Sequence, residues 1–363
     1  MKVLSQNVRE YLTSVLGVLS SPQKKHCLIY LCGLIWIVKF RSIRMIAGQF
    51  GHKDTDGLHN FIRHTSNKAK RIATASQDFL AARIRGQAVR LILDDTPAPR
   101  NGKKIDGIGW HHGAKGIIKG LCAVTAVVRV GGQTWAWEIV EYCSRKSVPK
   151  DVFRSKVEIA ADIIRRARET LGPTVTVLMD TWYSCCELLK LINCCGWRYI
   201  VALKSNRNVY INGRKTSVRH LAKGPRHYEV VRLSKKKTYR VAKLIIELPK
   251  VGTVALFISK QHSSPRFFIS NDLNLTPSQM ISIYDERFKI EFFHKDIKQF
   301  LGFGELFVRS RHSVQKHWIL VAVAYNLVVL MSPKDRSKNL RRKIDRLRLK
   351  IPAKCITRFK CKH

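Results

Sequence analysis

The chain has 363 residues, with 67 Lys+Arg against 25 Asp+Glu, a formal net charge of +42 and a pI near 10.3. At 45% hydrophobic and 9% aromatic it has the apolar surface for a sizeable core, which excludes disorder as its main state and suits two or three domains. Such an excess of like charge repels itself unless a polyanion is present, so DNA or RNA is the expected partner; the longest apolar runs, Cys27 to Val38 and Trp318 to Met331, are too short to span a membrane.

The N-terminus, Met1-Lys2-Val3-Leu4-Ser5-Gln6, lacks the basic, apolar and small-residue regions of a secretory signal, so a cytoplasmic protein is expected. From Val8 to about Ala88 apolar residues recur at three and four spacing, which predicts an α-helical N-terminal domain, residues 1–88. Within it, Arg41 to Phe50, the turn Gly51-His52-Lys53-Asp54 and Thr55 to Arg63 read as helix, turn, helix. Asp54 or Thr55 caps the second helix, and Asn60, Arg63 and His64 are the side chains such a motif offers to a DNA groove. An ordinary helical hairpin with a solvated basic face gives the same pattern.

At Val89 the pattern changes. Val89-Arg90-Leu91-Ile92-Leu93 is a strand running into Asp94-Asp95-Thr96-Pro97, and Gly120 to Val130 with Gln133 to Glu141 is a hairpin turning on Gly131-Gly132. Val152 to Leu171 is an amphipathic helix closed by Gly172-Pro173. Thr174 to Met179 is a buried strand ending at Asp180, Cys185 to Cys195 a helix stopped by Gly196, and Tyr199 to Leu203 a further strand. This order makes an α/β core with mixed strand pairing. Short alternating segments from about 205 to 275 form a β-rich insertion; Thr276 to Leu301 and Val314 to Met331 are helices, and residues 333–363 form a basic tail. The catalytic unit is thus expected at 89–332. In the tail, Arg341, Arg342, Lys343, Arg346, Arg348 and Lys350 suit non-specific DNA affinity or a partner contact.

Ten cysteines include the adjacent pairs Cys185-Cys186 and Cys194-Cys195 but no matched Cys-x-x-Cys halves, so reduced core thiols are expected rather than zinc. His111-His112 are neighbours that do not readily face one ion, and turn or phosphate-contact roles suit them better.

Asp95 and Asp180 end apolar strands, where an α/β sheet opens its crevice and two carboxylates can share a hard divalent cation. Side chains alternate along a strand, so one of Asp94 and Asp95 faces the site; Asp95, next to Thr96, is preferred. At about 100° per residue, Tyr284, Arg287, Glu291 and Lys298 share one helix face, with Ile290, Phe293 and Ile297 on the other. A carboxylate among a phenol, a guanidinium and an ammonium suits a metal-dependent phosphodiester site.

Two strand-end carboxylates, then Glu291 beyond a β insertion, resemble the DDE transposases of RNase H-like fold. Tyr284, Arg287, Glu291 and Lys298 resemble the YREK signature of the cut-and-paste insertion-sequence group. Asp94-Asp95-Thr96 with Gly102-Lys103-Lys104 and Trp110-His111-His112, Asp180-Thr181-Trp182-Tyr183, Leu203-Lys204-Ser205-Asn206, Lys298-Gln299-Phe300-Leu301-Gly302 and His317-Trp318 add to the likeness, which runs from about Leu91 to Met331. The resemblance implies an RNase H-like mixed sheet with flanking helices. It implies that Asp95, Asp180 and Glu291 hold Mg²⁺ or Mn²⁺, two ions in all, for cleavage and strand transfer on double-stranded DNA. Tyr284, Arg287, Lys298 and Lys204 would contact DNA, in a homodimer that brings both transposon ends together. All seven tryptophans lie outside 205–275, where some relatives stack a flipped base, leaving Tyr210, Tyr228, Tyr239, Phe267 or Phe268 as aromatic candidates there. A catalytically silent DNA-binding derivative and a stand-alone nuclease are the competing functions.

Overall fold

The computed structural model describes residues 4–64, 66–102, 105–113, 116–234, 237–260, 264–305, 307–332, 340–350 and 357. Five helices come first: α1 (Gln6–Gly17), α2 (Ser21–Trp36), α3 (Ile43–Gln49), α4 (Thr55–His64) and α5 (Ser66–Ile84). Their starts follow the local chemistry. Ser20 and Gln23 close a capping box on α2, Ser42 Oγ accepts from Met45 N, and Asp54 Oδ1 accepts from Gly57 N at 2.7 Å. On α4, Leu58, Phe61 and Ile62 are buried while Asn60, Arg63 and His64 are exposed.

The rest alternates strands and helices: β1 (Val89–Pro99), β2 (Gly109–Gly113), β3 (Gly116–Val130), β4 (Gln133–Tyr142), α6 (Lys156–Thr170), β5 (Val175–Met179), α7 (Cys186–Cys194) and β6 (Arg198–Leu203). Then come β7 (Asn208–Ile211), β8 (Arg214–Ser217), α8 (Val218–Leu221), β9 (Glu229–Ser234), β10 (Lys237–Leu248), β11 (Gly252–Lys260) and β12 (Arg266–Ser270). The chain continues through α9 (Pro277–Asp285), a 3₁₀ turn (Glu286–Phe288), α10 (Lys289–Phe300), α11 (Arg311–Met331) and α12 (Leu340–Lys350). This is the expected mixed α/β class, with N-terminal helices followed by a mixed sheet and flanking helices, consistent with an RNase H-like core.

All the strands belong to one sheet in the order β2-β3-β1-β5-β6-β12-β11-β10-β7-β8, with β4 also on β3 and β9 on β10. β1, β5 and β6 are parallel, because α7 carries the chain back over the sheet between β5 and β6; the remaining pairs are antiparallel. The β3–β4 hairpin turns on Gly131 and Gly132, both at positive φ (55° and 82°), where a Cβ would be strained. The β-rich segment joins the sheet through β12, paired to β6 from Phe267↔Leu203 to Ser270↔Ile200.

α11 is the central pillar. It is longer than the apolar run Trp318 to Met331 suggested: its 21 residues are by length and composition enough to cross a membrane, yet 83% of its most apolar stretch is buried inside the protein. Trp318 stacks on Phe303 with centroids 4.8 Å apart, and Asn326 accepts from Ala136 N at 2.8 Å and donates to Ala136 O at 2.9 Å. That amide satisfies the β4 backbone where its register against β3 shifts, between Ala126 and Val127. Lys316, 1% exposed, donates to the Phe61 carbonyl of α4, and so joins the helical region to the pillar.

The eight cysteines among the described residues are free thiols, and Cys27, Cys32, Cys122, Cys143 and Cys195 are buried. The basic tail is described as α12 and Thr357; the remainder of 333–363 lies outside the described residues, as do Lys103 and Lys104.

Candidate active site

The register of the parallel pair sets the site. The last paired residues of β1 and β5 are Ile92 and Leu178, and two residues on from each stand Asp94 and Asp180, a separation that keeps both side chains on one face. Burial pushes the Asp94 carboxyl up to about 7, Asp180 beside it adds to the shift, and the Asp95 amide and Arg287 oppose it. A cation close to Asp94 offsets part of this cost.

The cation present is Arg287. Its Nη1 donates to Asp94 Oδ2 at 3.3 Å and its Nη2 to Glu291 Oε1 at 2.7 Å, while the guanidinium lies 4.8 Å from the Phe288 ring centroid. Arg287 is buried, whereas the Glu291 side chain is half-exposed, so the pair opens to solvent on the glutamate side. α10 is fixed over β1 by its buried His294: His294 Nε2 is 2.7 Å from Thr125 Oγ1, which itself lies 3.1 Å from the Asp94 carbonyl. Burial, with Lys298 and Arg287 nearby, pushes His294 down to about 3, so the imidazole is neutral, gives its Nε2 proton to Thr125 and leaves the hydroxyl to donate to Asp94 O. Sequence reasoning passed over Thr125 and His294. The available signal was a histidine on the apolar side of α10, between Phe293 and Ile297.

The two neighbouring aspartates take different partners. Asp95, preferred from the sequence, turns the opposite way: its Oδ2 accepts from Lys156 Nζ at 2.6 Å and its Oδ1 from the Tyr183 hydroxyl at 3.3 Å. The cause is the strand's alternation, which gives Asp94 to α10 and Asp95 to the start of α6. Tyr183 lies in the segment Asp180-Thr181-Trp182-Tyr183 singled out above, whereas Lys156 carries no motif that marked it in advance.

Tyr284 also departs from its expected place. The helix foreseen from Thr276 to Leu301 breaks at the 3₁₀ turn, which puts Tyr284 on α9 and Arg287 in the turn. Tyr284 is buried, packs on Phe268 with centroids 4.7 Å apart, and donates to Met179 O at 3.2 Å. It is therefore a strut beneath β5 rather than an exposed DNA contact. Lys298 is partly buried, which lowers its ammonium's pKa, with Cys122 and Asp95 close enough to oppose that shift. Lys204 is exposed, its Nζ 5.9 Å from the Trp182 ring centroid. His111 and His112 sit on β2, one buried against Gly120 O at 3.2 Å and the other exposed, so they face opposite ways. Phe267 and Phe268 are core residues, while Tyr228 lies under Lys260 and Arg240, at 4.7 and 5.6 Å.

Asp94 feels the charge of Asp180 and shares Arg287 with Glu291, and carboxylate oxygens are the ligand type that suits a hard divalent ion. The cost of burying the Asp94 charge is measurable. Asp94 ionises near 3.8 in an ordinary setting and near 7 here, so stability falls as pH rises between those values and the loss is complete above 7. Asp94→Asn is thus expected to raise the thermal midpoint at pH 8 without divalent ions, by roughly 1–4 kcal/mol of stability, and to match wild type near pH 4. Equal midpoints at pH 8 would show that the carboxylate is not under strain.

Residues 14–251 match the family model for the DDE superfamily endonuclease, a span that includes Asp94 and Asp180 and ends before α10. The chain is also 27% identical over 188 residues to a "Probable transposase for insertion sequence element IS701" of Microchaete diplosiphon, the match covering 50% of each protein. The chain thus spans about half the length of that curated relative. With most of its length in the family model and its strand-end carboxylates inside the matched span, the chain belongs to the DDE superfamily endonucleases.

Proposed function

We propose that the protein is an insertion-sequence transposase that binds the DNA ends of its element, cuts them and joins the freed 3′-OH to target DNA. One observation carries this reading: the Arg287 guanidinium joins Asp94 on β1 to Glu291 on α10, and Asp180, next after β5, lies near enough to Asp94 for its charge to be felt there, in a chain of net charge +42. The relative named for an insertion sequence supports it, as does the YREK spacing of Tyr284, Arg287, Glu291 and Lys298.

In this reading the three carboxylates hold a pair of Mg²⁺ or Mn²⁺ ions. When bound, these activate the attacking water or 3′-OH and stabilise the leaving oxygen. Arg287 serves the phosphodiester, since its forked N–H donors match phosphate as well as carboxylate. Lys298 and Lys204 neutralise neighbouring phosphates, and Tyr284, Thr125 and His294 hold α9, β3 and α10 in register. Asn60, Arg63 and His64 on α4 offer polar groups for end recognition, the basic α12 adds non-specific affinity, and a homodimer pairs two ends on cytoplasmic DNA.

The test incubates the full-length protein with duplex carrying the DNA that borders its own gene, with Mg²⁺ or with EDTA, and resolves nicked from joined products. Both products with Mg²⁺, and neither with EDTA, are expected. Nicks without joining would make the protein a nuclease; binding without nicks would make it a silent DNA-binding derivative.

A further inference from the structure

We infer that Trp182 is the floor of a stacking site for one unpaired DNA nucleotide beside the acidic centre, with Lys156 and Lys204 at its walls; this rests on the DNA-processing function proposed above. Trp182 is 56% exposed, a costly position for an indole in water. It borders a surface cavity of about 300 Å³, shared with Tyr142, Ser155, Lys156, Val157 and Lys204. That volume is at the small end of ligand sites, enough for a single nucleotide and too small for a duplex.

The chemistry of the walls matches a base with its phosphate. Lys156 Nζ lies 5.7 Å from the Trp182 ring centroid and 5.2 Å from that of Tyr142, and Lys204 Nζ lies 5.9 Å from Trp182. The Asp95 carboxylate already balances Lys156, which fixes its position, and among the described residues no carboxylate pairs with Lys204. Lys204 thus brings the unbalanced positive charge for a phosphate, and the N-terminus of α6, capped by Ser155, lines the same cavity.

Trp182 is also placed with respect to the chemistry. Its backbone N–H donates to Asp180 Oδ1 at 2.9 Å, so the carboxylate at the end of β5 sets the turn that presents the indole. A paired base shows a protein its edge and hides its faces in the stack, so an indole face in a one-nucleotide cavity selects a base that has left the helix. The exposed Trp110 lacks this setting: it stands on the edge strand β2, and among the described residues Lys119 is the one cation near its ring, at 6.0 Å.

The experiment compares anisotropy of the full-length protein, in EDTA, on a blunt duplex and on the same duplex with a short single-stranded tail carrying 2-aminopurine. Wild type is expected to prefer the tailed duplex by about tenfold and to quench the 2-aminopurine on binding. Trp182→Ala should lose both effects and keep blunt-duplex affinity, while Trp182→Phe should keep most of each. Equal wild-type affinity for the two duplexes, or equal weakening of both by Trp182→Ala, would overturn the stacking site and leave the proposed function standing. Failure of wild type to bind either DNA would instead overturn that function, and the site with it.

Discussion

Glu291→Gln and Asp94→Asn are each expected to lower Mg²⁺-dependent cleavage of end DNA by on the order of 10³-fold or more, with duplex binding largely intact. Both substitutions keep the shape of the side chain and remove its charge, so the loss reports cation holding rather than packing. The contrast with Asp95→Asn makes the experiment decisive. Asp95 accepts from Lys156 on one oxygen and from Tyr183 on the other; in asparagine the amide oxygen still accepts from Lys156 and the NH2 donates to the Tyr183 hydroxyl, so this variant should retain much of the cleavage. Rates measured on one substrate under saturating Mg²⁺ give the ranking directly. An inactive Asp95→Asn beside an active Asp94→Asn would return the ligand role to Asp95.

Arg41→Ala is expected to cost about 3 kcal/mol of folding stability, read as a shift in the urea midpoint at constant slope. Arg41 is 2% exposed, pairs with Glu305 at 2.5 Å and donates through Nη2 to the Phe300 carbonyl at 2.8 Å, while its backbone N–H reaches the same glutamate at 3.1 Å. Phe300 is the last residue of α10, whose closing carbonyls lack partners within the helix, so the guanidinium both caps it and complements its dipole. Removing the side chain leaves the Phe300 carbonyl without its donor and Glu305 with only the backbone N–H of residue 41. Glu305→Gln, which keeps an acceptor, should cost less than Arg41→Ala. A loss below about 1 kcal/mol for Arg41→Ala would mean that water replaces the clamp.

Much of this architecture is legible in the chain because its elements announce themselves locally. The Gly131-Gly132 turn and the run Val175 to Met179 each have one economical conformation, and each forms as expected, whereas the helix expected from Val152 starts at Lys156, where Ser155 caps it. β2, β7 and β8 were not anticipated, since segments as short as Asn208–Ile211 acquire strand character only from a neighbour's hydrogen bonds. The candidate site divides the same way. That a carboxylate on β1 shares an arginine with a glutamate on α10 fits the motif spacing. Which of Asp94 and Asp95 faces α10 depends on strand phase, which a shift of one residue inverts. Tyr284 was misplaced because a helical wheel assumes one continuous axis, and the 3₁₀ turn at Glu286–Phe288 changes that axis between the tyrosine and the arginine.

The splice of β12 onto β6 has a mechanical meaning. Four register pairs, from Phe267↔Leu203 to Ser270↔Ile200, make the β-rich segment, the strand that carries Asp94 and the strand that runs into Asp180 parts of one plate. A polyanion gripping the far strands would load the catalytic strands through backbone hydrogen bonds, with no hinge between them to absorb the force. Substrate tension and the geometry at the reacting phosphate are then carried by the same plate.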